Sequence, residues 1–213
     1  MRSYQYILLD WDGNLAQTLH IWLKATIDIL NKYDHKHTEA EVIDGLPDLQ
    51  TLMKHFGIVD IQGTVDEITR EVQNLLPNVE LYPDALYVLE ILKSRGKRLA
   101  LVTSSNRHLV VDSLARYNLM KIFDVIVARE DVTHAKPHPE PLEIAINKFK
   151  AVKSETIMIG DTEKDIGAAN SIGIDSILFF PPEHKRFYDI DKLKEYKPTY
   201  IVSDFRHILE IVN

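Results

Sequence analysis

Asp10-Trp11-Asp12-Gly13 sets two carboxylates one residue apart, directly after the apolar run Tyr6 to Leu9. Asp-Gly is a strong hairpin signal. A hairpin needs a second alternating strand, however, and Leu15, Leu19, Trp22 and Leu23 follow helical spacing instead. The two carboxylates therefore stand on a strand-to-helix loop, with Gly13 permitting the bend. Thr103-Ser104-Ser105-Asn106 closes the apolar run Leu99 to Val102. Helix capping accounts for these residues by themselves, and a hydroxyl beside free amides at a helix start is also a cradle for phosphate oxygens. Lys136, in Lys136-Pro137-His138-Pro139, precedes a proline-stiffened turn, where an isolated lysine is ordinarily a surface cation. Gly160-Asp161-Thr162-Glu163-Lys164-Asp165 closes the run Thr156 to Ile159 and opens a helix. Thr162 and Asp165 have the spacing of a capping box.

Each run has a structural explanation singly. Together they fall, in order, at successive ends of apolar runs, and in a parallel sheet ligands bind beyond those ends. Asp10, Asp12 and Asp161 are then expected to converge on one small volume. Like charges about 4 Å apart at an effective dielectric near 20 repel by roughly 4 kcal/mol per pair, so such a cluster requires a cation. Carboxylate, carbonyl and water oxygens favour a hard ion, Mg²⁺ first. Histidine offers no rival set: His134 and His138 are four apart, but Pro137 breaks the helix that would align them, and the segment reads as a surface turn rather than a metal site.

The elements that must position these residues follow from patterning. Apolar runs at Tyr6 to Leu9, Leu99 to Val102, Val125 to Ala128, Thr156 to Ile159, Ile174 to Phe180 and Thr199 to Val202 alternate with segments of helical spacing. Strand and helix in alternation imply an α/β protein with a parallel sheet covered on both faces. The interval from Leu15 to about Tyr82 breaks the rhythm. It contains helical stretches around Leu15 to Leu30, Leu49 to Phe56 and Val65 to Leu76, punctuated by Pro47, Gly57, Gly63 and Pro77. This reads as a helical insertion at 16–82 within a core formed by 1–15 and 83–213. The basic residues Lys93, Arg95, Lys97 and Arg98 lie where a helix ends and a strand begins, and complement the helix dipole there.

The 213 residues, 45% of them hydrophobic and 27% charged, are enough to bury a core without covalent staples. There is no Cys, which excludes disulfides, thiolate nucleophiles and Cys-bound zinc or iron–sulfur centres. A net charge of -7 opposes unspecific binding to nucleic acid or an anionic membrane. The amino terminus does not read as a secretory signal, no run is long enough to span a bilayer, and the expected location is the cytoplasm.

The four motifs together resemble those of the haloacid dehalogenase-like (HAD) hydrolase superfamily, over about residues 6 to 180. The helical interval after the first motif resembles the cap of the phosphoglycolate phosphatase and β-phosphoglucomutase branch. The resemblance implies a Rossmann-like core with an inserted α-helical cap. It implies that Asp10 is a nucleophile forming an aspartyl-phosphate, and that Asp12 acts first as acid and then as base. It further implies that Mg²⁺ is held by Asp10, the Asp12 carbonyl and Asp161, with Asp165 as an outer ligand or supporting partner. Thr103 and the Ser104 amide would bind phosphate oxygens, and Lys136 would neutralise nucleophile and phosphate. The implied substrate is a small phosphorylated metabolite, handled by a monomer or homodimer.

Two departures stand out: Asn14 replaces the Thr usual in Asp-x-Asp-Gly-Thr, and Gln17 replaces an Asp common in the branch. Trp22 falls where a mutase of the β-phosphoglucomutase type has a His, so hydrolysis is the leading expectation, with phosphosugar mutase and a non-catalytic regulatory protein as alternatives. His20, Trp22, Lys24, Arg107 and His108 are the residues to inspect for substrate selection. Each of them also has an ordinary packing or surface explanation.

Overall fold

The computed structural model describes residues 3–76 and 79–212. Six strands form one sheet: β1 Tyr6–Leu9, β2 Arg98–Val102, β3 Val125–Val127, β4 Thr156–Gly160, β5 Asp175–Phe179 and β6 Tyr200–Val202. All pair in parallel, in the order β3-β2-β1-β4-β5-β6. This is the doubly wound, Rossmann-like α/β arrangement, in which strand order reverses between β1 and β4 and opens a crevice at their carboxyl ends.

The strands read as unbroken apolar runs because both sheet faces are covered. Leu8, Ala100, Val102 and Met158 pack with Leu142, Ala145 and Phe149 of α7 (Glu140–Phe149) and Ala168 and Ala169 of α8 (Glu163–Ile172). Their alternate neighbours Ile7, Leu9, Leu99 and Leu101 are equally buried. Full burial of a side chain of this size is worth about 1.5–3 kcal/mol, which makes the two central strands a rigid base for whatever follows them.

The chain divides into two compact units, Met1–Ala16 with Glu80–Asn213, and Gln17–Val79. Ala16 bridges Leu81, and the Tyr82 amide donates to the Leu15 carbonyl at 2.9 Å, which ties both residues to the sheet-bearing unit. The second unit is helical: α1 Leu19–Lys32, α2 Glu39–Gly45, α3 Leu49–His55 and α4 Ile61–Leu75. In α4 the buried Thr64, Ile68 and Val72 recur every four residues and form one buried stripe along the helix. Helix α2 has no apolar stripe to announce it and rests on a capping box between Thr38 and Glu41. Gly63 does not punctuate. It lies in the first turn of α4, where the Asp60 carboxylate accepts its N–H at 2.9 Å. Pro77 lies outside the described residues. The remaining helices are α5 Ala85–Ser94, α6 Arg107–Arg116, α9 Ile190–Glu195 and α10 Ile208–Ile211. No described helix is long and apolar enough to cross a membrane.

Candidate active site

Asp10 is the first residue beyond β1, and its amide extends the ladder to the Ile159 carbonyl of β4 at 3.0 Å. The chain then turns sharply. Gly13 has φ +68°, and the Leu15 and Ala16 amides both donate to the Trp11 carbonyl at 3.0 Å. Asn14 is fully buried in this turn and its side-chain amide donates to the Asp10 carbonyl at 3.1 Å. An asparagine thus braces the loop at the position where the family pattern usually has a threonine.

Lys136 enters from the loop before α7 and is nearly fully buried. An ammonium has three hydrogens, and Lys136 directs them to Asp10 Oδ1 at 2.8 Å, Asp165 Oδ1 at 2.6 Å and the Val102 carbonyl at 2.9 Å. A lysine in such a turn is ordinarily a surface cation; here it is the internal counter-ion of two carboxylates. Asp165 caps α8 as its spacing suggests, its Oδ2 accepting from the Thr162 hydroxyl at 2.7 Å and amide at 3.2 Å. It serves the capping box and the lysine together.

Asp161 follows β4 and is completely buried. Its Oδ2 accepts from the Tyr188 hydroxyl at 3.0 Å, whereas its Oδ1 has no hydrogen-bond partner among the described residues. Asp10, Asp161 and Asp165 offer oxygens that all lie within 4.8 Å of one another. The third member is thus Asp165, where the sequence spacing points to Asp12. The Asp12 carboxylate turns instead to the Ser105 hydroxyl, which donates to its Oδ2 at 2.5 Å. Thr103, almost fully buried after β2, accepts the Ser105 amide on its hydroxyl oxygen at 3.0 Å, leaving its O–H to donate elsewhere. Ser104 beside it is exposed.

The charges do not balance. Fully ionised, three carboxylates would face one ammonium, an excess of two negative charges in a buried pocket. Burial pushes Asp10 up to about 7, with Lys136 opposing and Asp165 and Asp12 adding to the rise. Asp161 is held well above the carboxylate range by burial and by Asp165 and Asp10. Burial works against the charge of Lys136, but the adjoining Asp10 and Asp165 override it and raise its pKa. An orphaned buried oxygen, all-oxygen donors and an excess of two negative charges fit a hard dication such as Mg²⁺. The oxygens open to it are those of Asp10 and Asp161, because Asp165 has committed both of its own.

Behind the loop lies a fully buried His184, boxed by the rings of Tyr82, Phe179, Phe180 and Tyr188 at centroid distances of 5.5–5.9 Å. Its Nε2 is 2.7 Å from the Tyr82 hydroxyl. Its Nδ1 faces the Gly13 backbone but is not within good hydrogen-bond geometry of it. Burial lowers its pKa to about 4. Tyr188 and His184 carry no motif of their own, and Ser105, although it lies in the run after β2, gives no sign in sequence of its bond to Asp12.

His20, Lys24 and His108 are exposed and Trp22 is half-buried. Lys24 pairs with Asp28, and Arg107 with Asp131. The basic segment at the end of α5 is engaged structurally, through Lys93 and Arg98 with Asp124 and Lys97 with the Tyr4 carbonyl. The segment around Lys136 is an exposed turn, as its spacing suggests, but the turn brings two histidines together. His134 and His138 meet, with ring centroids 4.6 Å apart, beside Glu140. A turn, not a helix, brings them together.

Haloacid dehalogenase-like hydrolases are the family whose model matches residues 7–179. The chain belongs to that family. It is similar to pyrophosphatase PpaX of Oceanobacillus iheyensis, 30% identical over 99% of this chain and 97% of that protein. A haloacid dehalogenase-like family hydrolase from Streptococcus pneumoniae superposes with a TM-score of 0.83 at 21% identity, covering 100% of both chains. A HAD-superfamily hydrolase of subfamily IA from Geobacter sulfurreducens gives 0.73 at 20% identity, over 99% of this chain and 97% of the other. At those identities the two structures speak to the fold alone.

Proposed function

We propose that this hydrolase is a Mg²⁺-dependent phosphatase that transfers the phosphoryl group of a small metabolite to Asp10 and then to water. The observation that carries the reading is the Lys136 ammonium spanning Asp10 and Asp165 beside the unpartnered oxygen of Asp161. The relatives named pyrophosphatase support phosphate chemistry and make inorganic pyrophosphate one substrate to compare with phosphomonoesters.

In the first step an Asp10 oxygen attacks phosphorus and the bond to the leaving oxygen breaks. Protonated Asp12 gives that oxygen its proton. In the second, Asp12, now a carboxylate, takes a proton from water as the water oxygen attacks phosphorus. The bond to Asp10 breaks, restoring the carboxylate and releasing phosphate. Ser105 holds the Asp12 side chain through its hydroxyl, and the Thr103 hydroxyl and Ser104 amide bind phosphoryl oxygens. Lys136 offsets charge on nucleophile and phosphate throughout. Bound by Asp10 and Asp161, with the Asp12 carbonyl, Mg²⁺ would supply the positive charge that the excess carboxylates and the substrate both require. The helical unit Gln17–Val79, which follows the Asp10 loop in the chain, is proposed as the cap that selects the leaving group.

The test is turnover of p-nitrophenyl phosphate, a panel of phosphorylated metabolites and pyrophosphate, across a Mg²⁺ series, by wild type and Asp10→Asn. Asp10→Asn is expected to lose at least roughly a thousandfold in kcat. Full turnover by that variant, or turnover indifferent to chelation, would sink the mechanism.

A further inference from the structure

The loop that carries Lys136 has a second set of ligating groups on its exposed side. His134 and His138 flank the lysine two residues away on either side, and Glu140 opens α7 just beyond. Glu140 Oε2 stands 3.1 Å from His134 Nδ1 and 4.0 Å from His138 Nδ1. The ligand atoms of all three side chains lie within 4.8 Å of one another. A tetrahedral ion with bonds of about 2.0–2.2 Å sets its donors about 3.4 Å apart. The two Glu140–histidine separations bracket that value, so small side-chain movements would bring the three donors to ligating distance.

The carboxylate is already anchored. Its Oε1 accepts the Thr133 amide at 2.8 Å and its Oε2 the His134 amide at 2.9 Å. The Glu140 amide donates to His138 Nδ1 at 3.2 Å, so this nitrogen is the unprotonated acceptor, and an ion bound there would take the place of that long hydrogen bond. The side chains are 63%, 49% and 25% exposed for His134, His138 and Glu140, so an ion can enter from solvent and water can fill its remaining positions. Two imidazoles and one carboxylate suit borderline transition-metal dications rather than Mg²⁺, in contrast with the all-oxygen cluster around Asp10.

We propose that His134, His138 and Glu140 form a second metal site, for a transition-metal dication of the Zn²⁺ type, on the outer side of the loop that presents Lys136. An ion there joins the residues on both sides of the lysine and restrains the segment between them. The site does not depend on the phosphatase reading.

Isothermal titration of the untagged protein with Zn²⁺, in excess Mg²⁺ to occupy the carboxylate cluster, tests it on wild type, Asp10→Asn, His134→Ala and His138→Ala. One equivalent is expected to bind wild type and Asp10→Asn, with affinity at least tenfold weaker in each histidine variant. Amide exchange in the peptide around Lys136 is expected to slow when Zn²⁺ is added to wild type. The substituted histidines are exposed, and circular dichroism verifies that both variants keep the fold. Wild-type affinity in either histidine variant, or uptake lost in Asp10→Asn instead, would overturn the assignment.

Discussion

Asp161 has one oxygen tied to Tyr188 and the other left open, and that division makes Tyr188 a positioning residue for the carboxylate cluster. Tyr188→Phe removes a hydroxyl that donates to a buried charge, an interaction worth about 1.5–3 kcal/mol. The Mg²⁺ concentration for half-maximal turnover should rise roughly tenfold, with kcat at saturating Mg²⁺ little changed. An unaltered Mg²⁺ titration would remove Tyr188 from this role. At this scale the sequence was most legible where a side chain follows an apolar run, as Asp10, Thr103 and Asp161 do. For Lys136 the resemblance implied a place beside Asp10, but its bond to Asp165 was not foreseen, because nothing in Lys-Pro-His-Pro states which further carboxylate the ammonium meets. Tyr188 and Ser105 act across the fold, on Asp161 and Asp12, and local spacing holds no sign of either.

At the scale of elements, the join of β4 and α8 is set by the absence of a side chain. A Cβ at Gly160 would come within 2.3–2.5 Å of Asp165 atoms, far inside contact distance. Asp165 caps the helix and pairs with Lys136, so it cannot withdraw without disturbing both. Gly160→Ala should therefore cost about 1–3 kcal/mol and lower Tm by roughly 2–12 °C, with a larger fractional loss of turnover than of stability. Thermal unfolding and a p-nitrophenyl phosphate assay of the same preparation check the two arms, and a wild-type Tm would count against the close approach. All six strands were legible because burial on both faces leaves near-continuous apolar runs. Helix α2 was not, since only Val42 of its seven residues is buried. The meeting of His134 and His138 was missed for a related reason: a helical test of their spacing cannot register a turn.

For the molecule as a whole, acid sensitivity should carry the signature of His184. Its folded pKa of about 4, against 6.5 for the ordinary side chain, means that the unfolded chain binds the extra proton between those values. Its contribution to stability is complete above about pH 6.5 and is lost as pH falls toward 4, by about 3 kcal/mol in all. Asp10 and Asp161, both raised, act in the opposite direction, losing their contribution as pH rises. Denaturant unfolding of wild type and His184→Gln separates the two, because the carboxylates cancel in the difference. The stability gap between the proteins should narrow as pH drops from 6.5 to 4, and a gap independent of pH would refute the assignment. The net charge of -7 reports none of this, for the acidic excess that matters is confined to a few buried oxygens.

The register of the sheet also fixes an order of events during synthesis. Tyr6 pairs with Arg98 on one side and Thr156 on the other, so β1 leaves the ribosome well before either neighbour and must wait for both. The helical unit Gln17–Val79 is translated in between and can collapse locally while β1 waits. Until β4 and the segment carrying Tyr188 have emerged, Asp10 has no buried surroundings and no raised pKa. Asp10 is therefore an ordinary, solvated carboxylate in the nascent chain until Lys136, Asp161 and Asp165, which surround it in the folded protein, have been translated.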